Sequence, residues 1–374
     1  MFDRENPLPL YIQVREDIRA QIESGALSPG DRLLFEDDLA TQYGVSCVTI
    51  KHALRDLVAA GLIIRIKNKG TFVSPRRVNS TGNLQRTRTL ALIIPDIEDL
   101  FISEIYRGAA DVARKRGYRI AILSSDRQVD QEASNIRDLG KRGEEGAIIF
   151  PNWGRTNSEQ IFELKKAKFP FVLVNRYFKD IKTNYVVVDN RAGALEAVEH
   201  LIRLGHRSIA CIGWVECTAV EDRLAGYRLA LGRHGIPYDE NIVRSILDEG
   251  DGRYASVEPA SGGYREMKAL LNANPRPTAV FAVSDRLAVG AMRAIAEAGL
   301  RMPGDIAVVG FDDLRYAADL DLTTVRQPAF ETGQKAAEIL IGEDQDSGKS
   351  VPGKYQQIVL PVELIVRGSC GGRR

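Results

Sequence analysis

The sequence has few features of a secreted, membrane-spanning or metal-stabilised protein. Its 374 residues include only four cysteines, and none of them forms a CxxC pair. Scattered thiols are typical of a reducing compartment and argue against a disulfide framework or a structural zinc site. No apolar run approaches the roughly 20 residues of a transmembrane helix, and the first residues lack the basic start and apolar stretch of a signal peptide. We therefore expect a cytoplasmic protein without a membrane span.

Signatures of common catalytic sites are also missing. There is no GxSxG, no P-loop, no GxGxxG after an expected strand and no HExxH. Of the four histidines, His200 and His206 are expected to lie near a helix end with a structural role. We therefore expect no cofactor, no metal and no enzymatic activity. Hydrolysis of ribose-like ligands in a cleft is the one enzymatic alternative that stays open.

The net charge of +1 gives no sign of nucleic-acid binding, but the charges are unevenly distributed. Residues 44–88 contain nine Lys and Arg residues and a single acidic residue, Asp56. A local excess of positive charge of this kind is typical of a phosphate-binding surface. A solvated basic linker would show the same excess, so charge alone leaves both interpretations open.

The first 73 residues predict three helices followed by a two-stranded hairpin. Gly25, Gly44 and Gly61 mark helix ends. The third helix is expected from about residue 47 to 60, with Ser46 as its N-cap. Its predicted buried stripe consists of Ile50, Ala53, Leu54, Leu57 and Val58.

The start of the third helix and the tip of the hairpin are the parts expected to contact DNA. The N-terminal half of a recognition helix reaches base edges in the major groove, and a basic hairpin tip grips phosphates or enters the minor groove. The candidate DNA-binding residues are Ser46, Val48, Thr49, Lys51, His52, Arg55, Lys67, Asn68, Lys69 and Gly70.

This stretch resembles the winged helix-turn-helix of the GntR family. The resemblance covers residues 9–73 and includes the segments Gly44-Val45-Ser46 and Gly70-Thr71-Phe72-Val73. It implies a DNA-binding domain of residues 1–75. The polar and basic residues 76–89 that follow are expected to form a linker.

Two positions depart from the family pattern. Asp37 and Cys47 stand where the family commonly has arginines that contact DNA, whereas the basic residue Lys51 is kept. Neither replacement makes the bidentate contact to guanine that contributes about 1–3 kcal/mol of discrimination. The retained wing and Lys51 favour an altered operator, and weak binding that relies on dimer avidity is the alternative. A co-regulator with weakened DNA reading is a further possibility.

From residue 90 onward, apolar strand-like runs alternate with helical patterns. The expected strands are 90–94, 119–123, 147–150, 171–174, 185–188, 209–212, 279–283 and 306–310. This alternation predicts an α/β fold of parallel sheets covered by helices, with two subdomains. Ligands of such sheets bind beyond the carboxyl ends of the strands. The carboxylates, amides and aromatic rings found there suit a neutral polyhydroxylated ligand.

Residues 89–368 resemble the effector domain of the LacI/GalR family, which is built like a type I periplasmic sugar-binding protein. Matching segments include Val187-Val188-Asp189-Asn190, Arg223-Leu224-Ala225-Gly226-Tyr227 and Val309-Gly310-Phe311-Asp312-Asp313. The resemblance implies that Arg223 and Asp312 hold sugar hydroxyls and that Phe101 and Ser284 line the cleft. The full set of candidate effector-binding residues is Phe101, Asp126, Trp153, Asn175, Arg176, Arg223, Ser284, Asp285 and Asp312.

The resemblance also implies how the effector domain, residues 90–368, is divided. One subdomain is expected to comprise about 90–189 plus 327–348, and the other 190–326 plus 349–368. Ser284 stands where the family often has Asn, and Asp99-Leu100-Phe101-Ile102 replaces the common Asn-Pro-Phe-Phe. Both changes fall in the expected pocket and leave the identity of the ligand open.

The combination of the two modules implies a function. The headpiece and hinge helix of the LacI/GalR family are absent, and the GntR-type module stands in their place. Some sugar-responsive repressors of bacilli, including arabinose repressors, share this arrangement. The sequence therefore predicts a homodimeric, ligand-responsive repressor of sugar-utilisation genes that reads palindromic double-stranded DNA.

Overall fold

The computed structural model describes residues 9–59, 61–66, 69–74, 87–152, 157–214, 217–246, 259–345 and 355–372. The chain divides into two compact units, Met1–Arg86 and Thr87–Arg374. Most of the expected linker lies outside the described residues, and its last residue, Thr89, begins a strand of the second unit. Within the described ranges, no helix combines the length and apolar character needed to cross a bilayer.

The N-terminal unit is a winged helix-turn-helix. Its elements are α1 (Leu10–Glu23), α2 (Glu36–Tyr43), α3 (Cys47–Ala59), β1 (Ile63–Ile66) and β2 (Gly70–Val73). Gly44 ends α2 with a φ of 64°, a left-handed conformation that glycine adopts without strain. Ser46 caps α3 as predicted, because its Oγ accepts the N–H of Thr49 at 3.2 Å. The hairpin of β1 and β2 is antiparallel, and Arg32 bridges to Phe72 beside it.

The core of this unit is formed where α1 and α3 pack together. Val14 and Ile18 from α1 are buried with Ile50 and Leu54 from α3. Burial of each such aliphatic side chain contributes about 1.5–3 kcal/mol. The prediction for Val58 is wrong, since its side chain is 38% exposed. Val58 follows the buried Leu57, so its side chain lies about 100° further around the helix. There it lines a surface groove.

The C-terminal unit contains two six-stranded sheets, each covered by helices. The first sheet contains β3 (Thr89–Ile94), β4 (Arg119–Ser124), β5 (Gly146–Ile149), β6 (Phe171–Val174), β7 (Asn184–Val188) and β13 (Gln357–Leu360), and the second contains β8 (Ile209–Trp214), β9 (Val243–Ser245), β10 (Ala279–Ala282), β11 (Ala307–Asp312), β12 (Thr323–Arg326) and β14 (Glu363–Ile365). The helices are α4 (Leu100–Lys115), α5 (Val129–Arg137), α6 (Ser158–Lys166), α7 (Asn190–Arg203), α8 (Thr218–Arg233), α9 (Pro259–Leu271), α10 (Asp285–Glu297), α11 (Arg315–Asp319) and α12 (Ala329–Gln345). Every strand expected from the sequence is present.

The strand orders are β13-β7-β6-β5-β3-β4 and β14-β12-β11-β10-β8-β9. Neighbouring strands are parallel except β12 and β14. Each sheet with its helices forms a lobe: α4, α5, α6 and α12 cover the first sheet and α7–α10 the second. This arrangement brings the carboxyl ends of the parallel strands of each lobe to one edge, where a ligand site is expected.

The chain passes between the lobes three times in the part that the structure describes: after β7, after β12 and between β13 and β14. The division predicted for residues 349–368 is therefore incorrect in part. β13 pairs in parallel with β7 in the first lobe, and β14 alone of the two strands joins the second. β13 is a short edge strand with mixed exposure, so no local pattern assigns it to either sheet.

Candidate functional site

The two lobes enclose an inner cavity at the carboxyl ends of their strands, with a volume of about 80 Å³. Among its lining residues are Asp96, Asp99, Phe101, Arg127, Phe150, Asn175, Arg176, Arg223, Ser284, Arg286 and Asp312. They come from the loops after β3, β4, β5, β6 and β10, from the end of β11 and from the first two turns of α4, α8 and α10. The topology therefore brings together polar side chains that are far apart in sequence.

Arg223 provides the principal positive charge from the second lobe. Its side chain, on α8, is 5% exposed. Its Nε donates to Asn190 Oδ1 at 2.8 Å, and Nη1 donates to the backbone oxygen of Val283. The guanidinium lies 3.7 Å from the centroid of the Phe311 ring. These contacts fix its orientation, which favours binding because little side-chain freedom remains to be lost.

The close packing of α7 on α8 explains why Arg223 reaches Asn190. Gly226 lies one turn further along α8, where a Cβ atom would collide with the backbone oxygen of Arg191. A residue without a side chain is therefore required for the two helices to approach this closely. The Arg-Leu-Ala-Gly segment thus encodes both the charged group and the contact that positions it.

Asp312 provides the matching acceptor. Its Oδ1 lies 3.6 Å from Arg223 Nη1 and accepts a 2.6 Å hydrogen bond from Gln327 Nε2. Burial raises the pKa of Asp312 to about 7, although Arg223 acts in the opposite direction. Its φ of 126° is unusual for a non-glycine residue, and such strain is often found at functional sites. The pair presents a donor and an acceptor side by side, as a vicinal diol requires.

The first lobe contributes an aromatic wall and a second buried arginine. Arg176, 7% exposed, donates from Nη1 to Pro151 O at 2.7 Å and lies 5.0 Å from the Phe150 ring centroid. Phe101 meets Phe150 edge to face, with 6.3 Å between ring centroids. Aromatic faces beside hydrogen-bonding groups are typical of sites that bind a ligand with both C–H and O–H surfaces.

Two arginines of the cavity, Arg127 and Arg286, were missed by sequence reasoning. Arg127 Nη2 contacts Asp96 Oδ2 at 2.6 Å within the first lobe. Arg286 Nη1, from the second lobe, lies 3.6 Å from Asp99 Oδ2. Asp99 belongs to the segment 99–102 that the sequence places in the expected pocket, and Asp96 lies two residues after the end of β3, so the positions of both aspartates offered a signal. Neither arginine did, because each comes one residue after the aspartate that was chosen instead.

Six of the predicted effector residues line the inner cavity: Phe101, Asn175, Arg176, Arg223, Ser284 and Asp312. Asp126 is not among the lining residues. Its side chain is exposed and accepts a hydrogen bond from Ser124 Oγ. Asp285 is fully buried behind the cavity, where its carboxylate accepts from Leu314 N and Thr324 Oγ1. The prediction that these two residues line the cleft is therefore wrong. Trp153 lies outside the described residues.

The winged module presents the predicted face of α3. Val48 is 76% exposed, and Lys51 and Arg55 are exposed beside it. His52 stacks on Tyr11 with 4.1 Å between ring centroids, so it also packs α3 against α1. Thr49 Oγ1 contacts Ser46 Oγ at 2.8 Å. Lys69 and Gly70 lie in the wing, whereas Lys67 and Asn68 fall outside the described residues.

The two positions that depart from the GntR pattern contact each other. Cys47 Sγ donates to Asp37 Oδ1 at 3.1 Å, and this hydrogen bond raises the pKa of the Cys47 thiol. Glu36 beside them pairs with Arg65 at 2.6 Å and with Lys51 at 3.8 Å. The Glu36 carboxylate at the start of α2 therefore pairs with one candidate DNA-binding cation, Lys51, and with Arg65 of the same basic segment.

Comparison with known families supports this architecture for both units. Residues 10–73 match the model of bacterial regulatory proteins of the gntR family, and residues 198–370 match a periplasmic binding protein-like domain. The chain is 31% identical to an arabinose metabolism transcriptional repressor of Geobacillus stearothermophilus, with 98% of this chain and 99% of that protein covered. The predicted resemblance to a hybrid repressor is confirmed.

Comparison with solved structures supports the same architecture. A LacI family transcriptional regulator from Enterococcus faecium with bound ribose matches 75% of this chain and 98% of its own, at 28% identity and a TM-score of 0.63. The CelR–cellobiose complex matches 87% of this chain and 91% of its own, at 27% identity and a TM-score of 0.65. The chain therefore belongs to the family of bacterial transcriptional repressors that join a gntR-type DNA-binding domain to a LacI-type, periplasmic-binding-protein-like domain, and it is a regulator rather than an enzyme.

Proposed function

We propose that the protein is a sugar-controlled repressor that acts as a homodimer on palindromic operator DNA in the cytoplasm. The observation that carries this proposal is the buried pair of Arg223 and Asp312 in a cleft between two lobes. A ligand held by both lobes binds the closed arrangement better than the open one, which is the differential affinity that a conformational response requires. Closure would alter how a dimer presents its two recognition helices to the half-sites.

The experiment has two arms. Operator sequences are first selected from a random DNA pool with the full-length protein, and DNA binding is then measured by fluorescence anisotropy with and without a panel of sugars. We expect a selected palindrome, and at least one sugar that changes its affinity by about 5–150-fold, the usual range of allosteric coupling. A sugar that binds without changing DNA affinity would contradict the regulatory part of the proposal.

A second candidate function is that of a co-regulator with weakened DNA reading. Two observations favour it. Lys51 and Arg65 form ion pairs with Glu36, and Cys47 donates a hydrogen bond to Asp37. These contacts oppose phosphate binding at the start of α3. If the pool yields no preferred sequence and anisotropy shows no binding at low salt, this second function replaces the first. Specific binding at low salt excludes it.

A further inference from the structure

Three of the four side chains in the first turn of α3, residues 47–50, are occupied within the winged module. Cys47 Sγ donates to Asp37 Oδ1 at 3.1 Å. Thr49 Oγ1 contacts Ser46 Oγ at 2.8 Å. Ile50 is fully buried in the core. The thiol and the hydroxyl in this turn are therefore already engaged with neighbours, and the remaining side chain is the one most available to a partner.

The remaining side chain of this turn is that of Val48. With 76% of its surface exposed, it is the most exposed large apolar side chain in the described part of the chain. A single exposed apolar residue is ordinary on a protein surface. This one, however, lies at the start of a recognition helix, the part that reaches base edges in the major groove. Its chemistry therefore limits which bases the module can recognise.

Val48 lines a surface groove, here called the α3 groove, which has a basic character. The lining residues are Val48, Lys51, His52, Arg55, Val58 and Arg65. Among these described residues, three are exposed cations and none is acidic. Such a surface matches the phosphates of a nucleic acid. A second copy of the same groove would instead bring cations against cations, which disfavours a self-complementary contact between two chains.

The major groove of duplex DNA offers a valine side chain one matching group. Valine neither donates nor accepts hydrogen bonds, so it cannot read the polar edges of guanine, adenine or cytosine. The C5-methyl group of thymine is the apolar group that base pairs present in this groove. Contact between the methyl group and the valine removes apolar surface of both from water. Cytosine lacks that methyl group, so the contact distinguishes the two pyrimidines.

We propose that Val48 is a specificity-determining residue that reads the C5-methyl group of a thymine in each operator half-site. Lys51, Arg55 and Arg65 hold nearby phosphates, which position the helix without reading sequence. This assignment rests on the proposed function and names the base feature that the same module recognises. Apolar contact, rather than hydrogen bonding, then sets the preference at this base.

Replacement of thymine by uracil tests the assignment, because it removes the methyl group and keeps the base pair. An operator is first selected from a random pool with the full-length protein. Each thymine of one half-site is then replaced in turn by deoxyuridine, and affinity is measured by fluorescence anisotropy at fixed salt. We expect one position at which the replacement weakens binding by roughly three- to fivefold, the effect of leaving one methyl group unburied.

Val48→Ala links that position to the protein. We expect this variant to bind the selected operator at least about fivefold more weakly and to lower the uracil penalty to less than about twofold, because the penalty depends on both partners. Val58→Ala is the matched control, since it makes the same change in the same groove about 15 Å further along α3. It should keep the uracil penalty and bind the operator within about twofold of the wild type.

A second probe restores the methyl group on another base. The thymine·adenine pair identified by the uracil scan is replaced by cytosine·guanine, with or without a methyl group at C5 of the cytosine. The wild-type protein should bind the 5-methylcytosine operator roughly three- to fivefold more tightly than the cytosine operator. Val48→Ala should bind the two equally. The wild-type comparison keeps the test valid if the variant fails to fold.

The outcomes separate this assignment from the proposed function. If no thymine methyl group affects binding to a selected operator, or if Val48→Ala keeps the full uracil penalty, the repressor stands and the role of Val48 is wrong. A Val48→Ala variant with altered oligomeric state in sedimentation and unchanged DNA affinity would show that a second copy covers this residue, which also overturns the assignment. If the full-length protein selects no operator, both proposals fail.

Discussion

The two units of this protein use charge in opposite ways. In the winged module, Lys51 and Arg65 are exposed and pair with Glu36 at the surface. In the cleft, Arg223 and Asp312 are buried and surrounded by fixed partners. Exposed ion pairs contribute about 0–1 kcal/mol and are screened by salt, whereas breaking a buried pair costs about 3–5 kcal/mol. Surface cations are therefore available to exchange a carboxylate for a phosphate, and the cleft pair is built to keep its geometry.

The largest effect is expected from Asp312→Ala in the cleft. This change removes the acceptor beside Arg223 and leaves a buried guanidinium with less compensation. Hydrogen bonds to charged groups contribute about 1.5–3 kcal/mol each, so loss of one weakens effector binding by roughly 10–150-fold. Effector response should disappear in the anisotropy assay, while operator affinity stays unchanged.

Asp312→Asn is the matched control for that prediction. The amide keeps an oxygen for Gln327 Nε2 but removes the charge. We expect it to bind effector with intermediate affinity and to unfold at a temperature closer to that of the wild type. An unaltered effector response in Asp312→Ala would show that the cleft pair does not hold the ligand.

The next effect concerns base recognition. Cys47→Arg should move the selected operator toward sites with an added guanine, since a bidentate contact contributes about 1–3 kcal/mol. The hydrogen bond from Cys47 to Asp37 sharpens this expectation, because Asp37 would hold the new guanidinium. The double variant Asp37→Ala, Cys47→Arg should therefore shift the operator more than Cys47→Arg alone. Selection from a random pool measures both, and identical sequences from all three proteins would refute the altered-operator interpretation.

The smallest effect is expected from Glu36→Gln at the surface. It frees Lys51 and Arg65 for phosphates, so non-specific DNA affinity should rise by less than about 1 kcal/mol and depend more steeply on salt. Asp38→Asn removes the same charge from the same helix and serves as the control. Among the described residues, no cation pairs with Asp38, so its effect should be smaller. Equal salt slopes for the two variants would show that the Glu36 pairs do not restrain DNA binding.

The sequence predicted the location of the cleft better than its detailed lining. Apolar runs identify strands, and polar residues after them identify the edge where ligands bind. They do not show which of two adjacent residues turns inward. Asp126 has a φ of 48° and Arg127 a φ of 63°, and this irregular turn directs the arginine to the cavity. Asp285 fails for another reason: its carboxylate is occupied by two groups from distant segments.

Contacts between residues far apart in sequence limited the prediction in the same way elsewhere. β13 joins the first sheet through pairing with β7, more than 150 residues earlier in the chain. Its own sequence is short and only partly buried, so its membership is set by a partner rather than by a pattern. The inner cavity likewise depends on residues from both lobes. By contrast, the Ser46 cap and the Gly44 turn are local features and were predicted correctly.

The interleaving of the two lobes has a consequence for synthesis on the ribosome. The first sheet is complete only when β13 has emerged, and the second only when β14 has followed. The winged module is contiguous and lies entirely ahead of both. Domains generally fold as units in the order of translation, so a nascent or truncated chain would carry a folded DNA-binding module before any sensor exists. Control by the ligand is thus the last property that this polypeptide acquires.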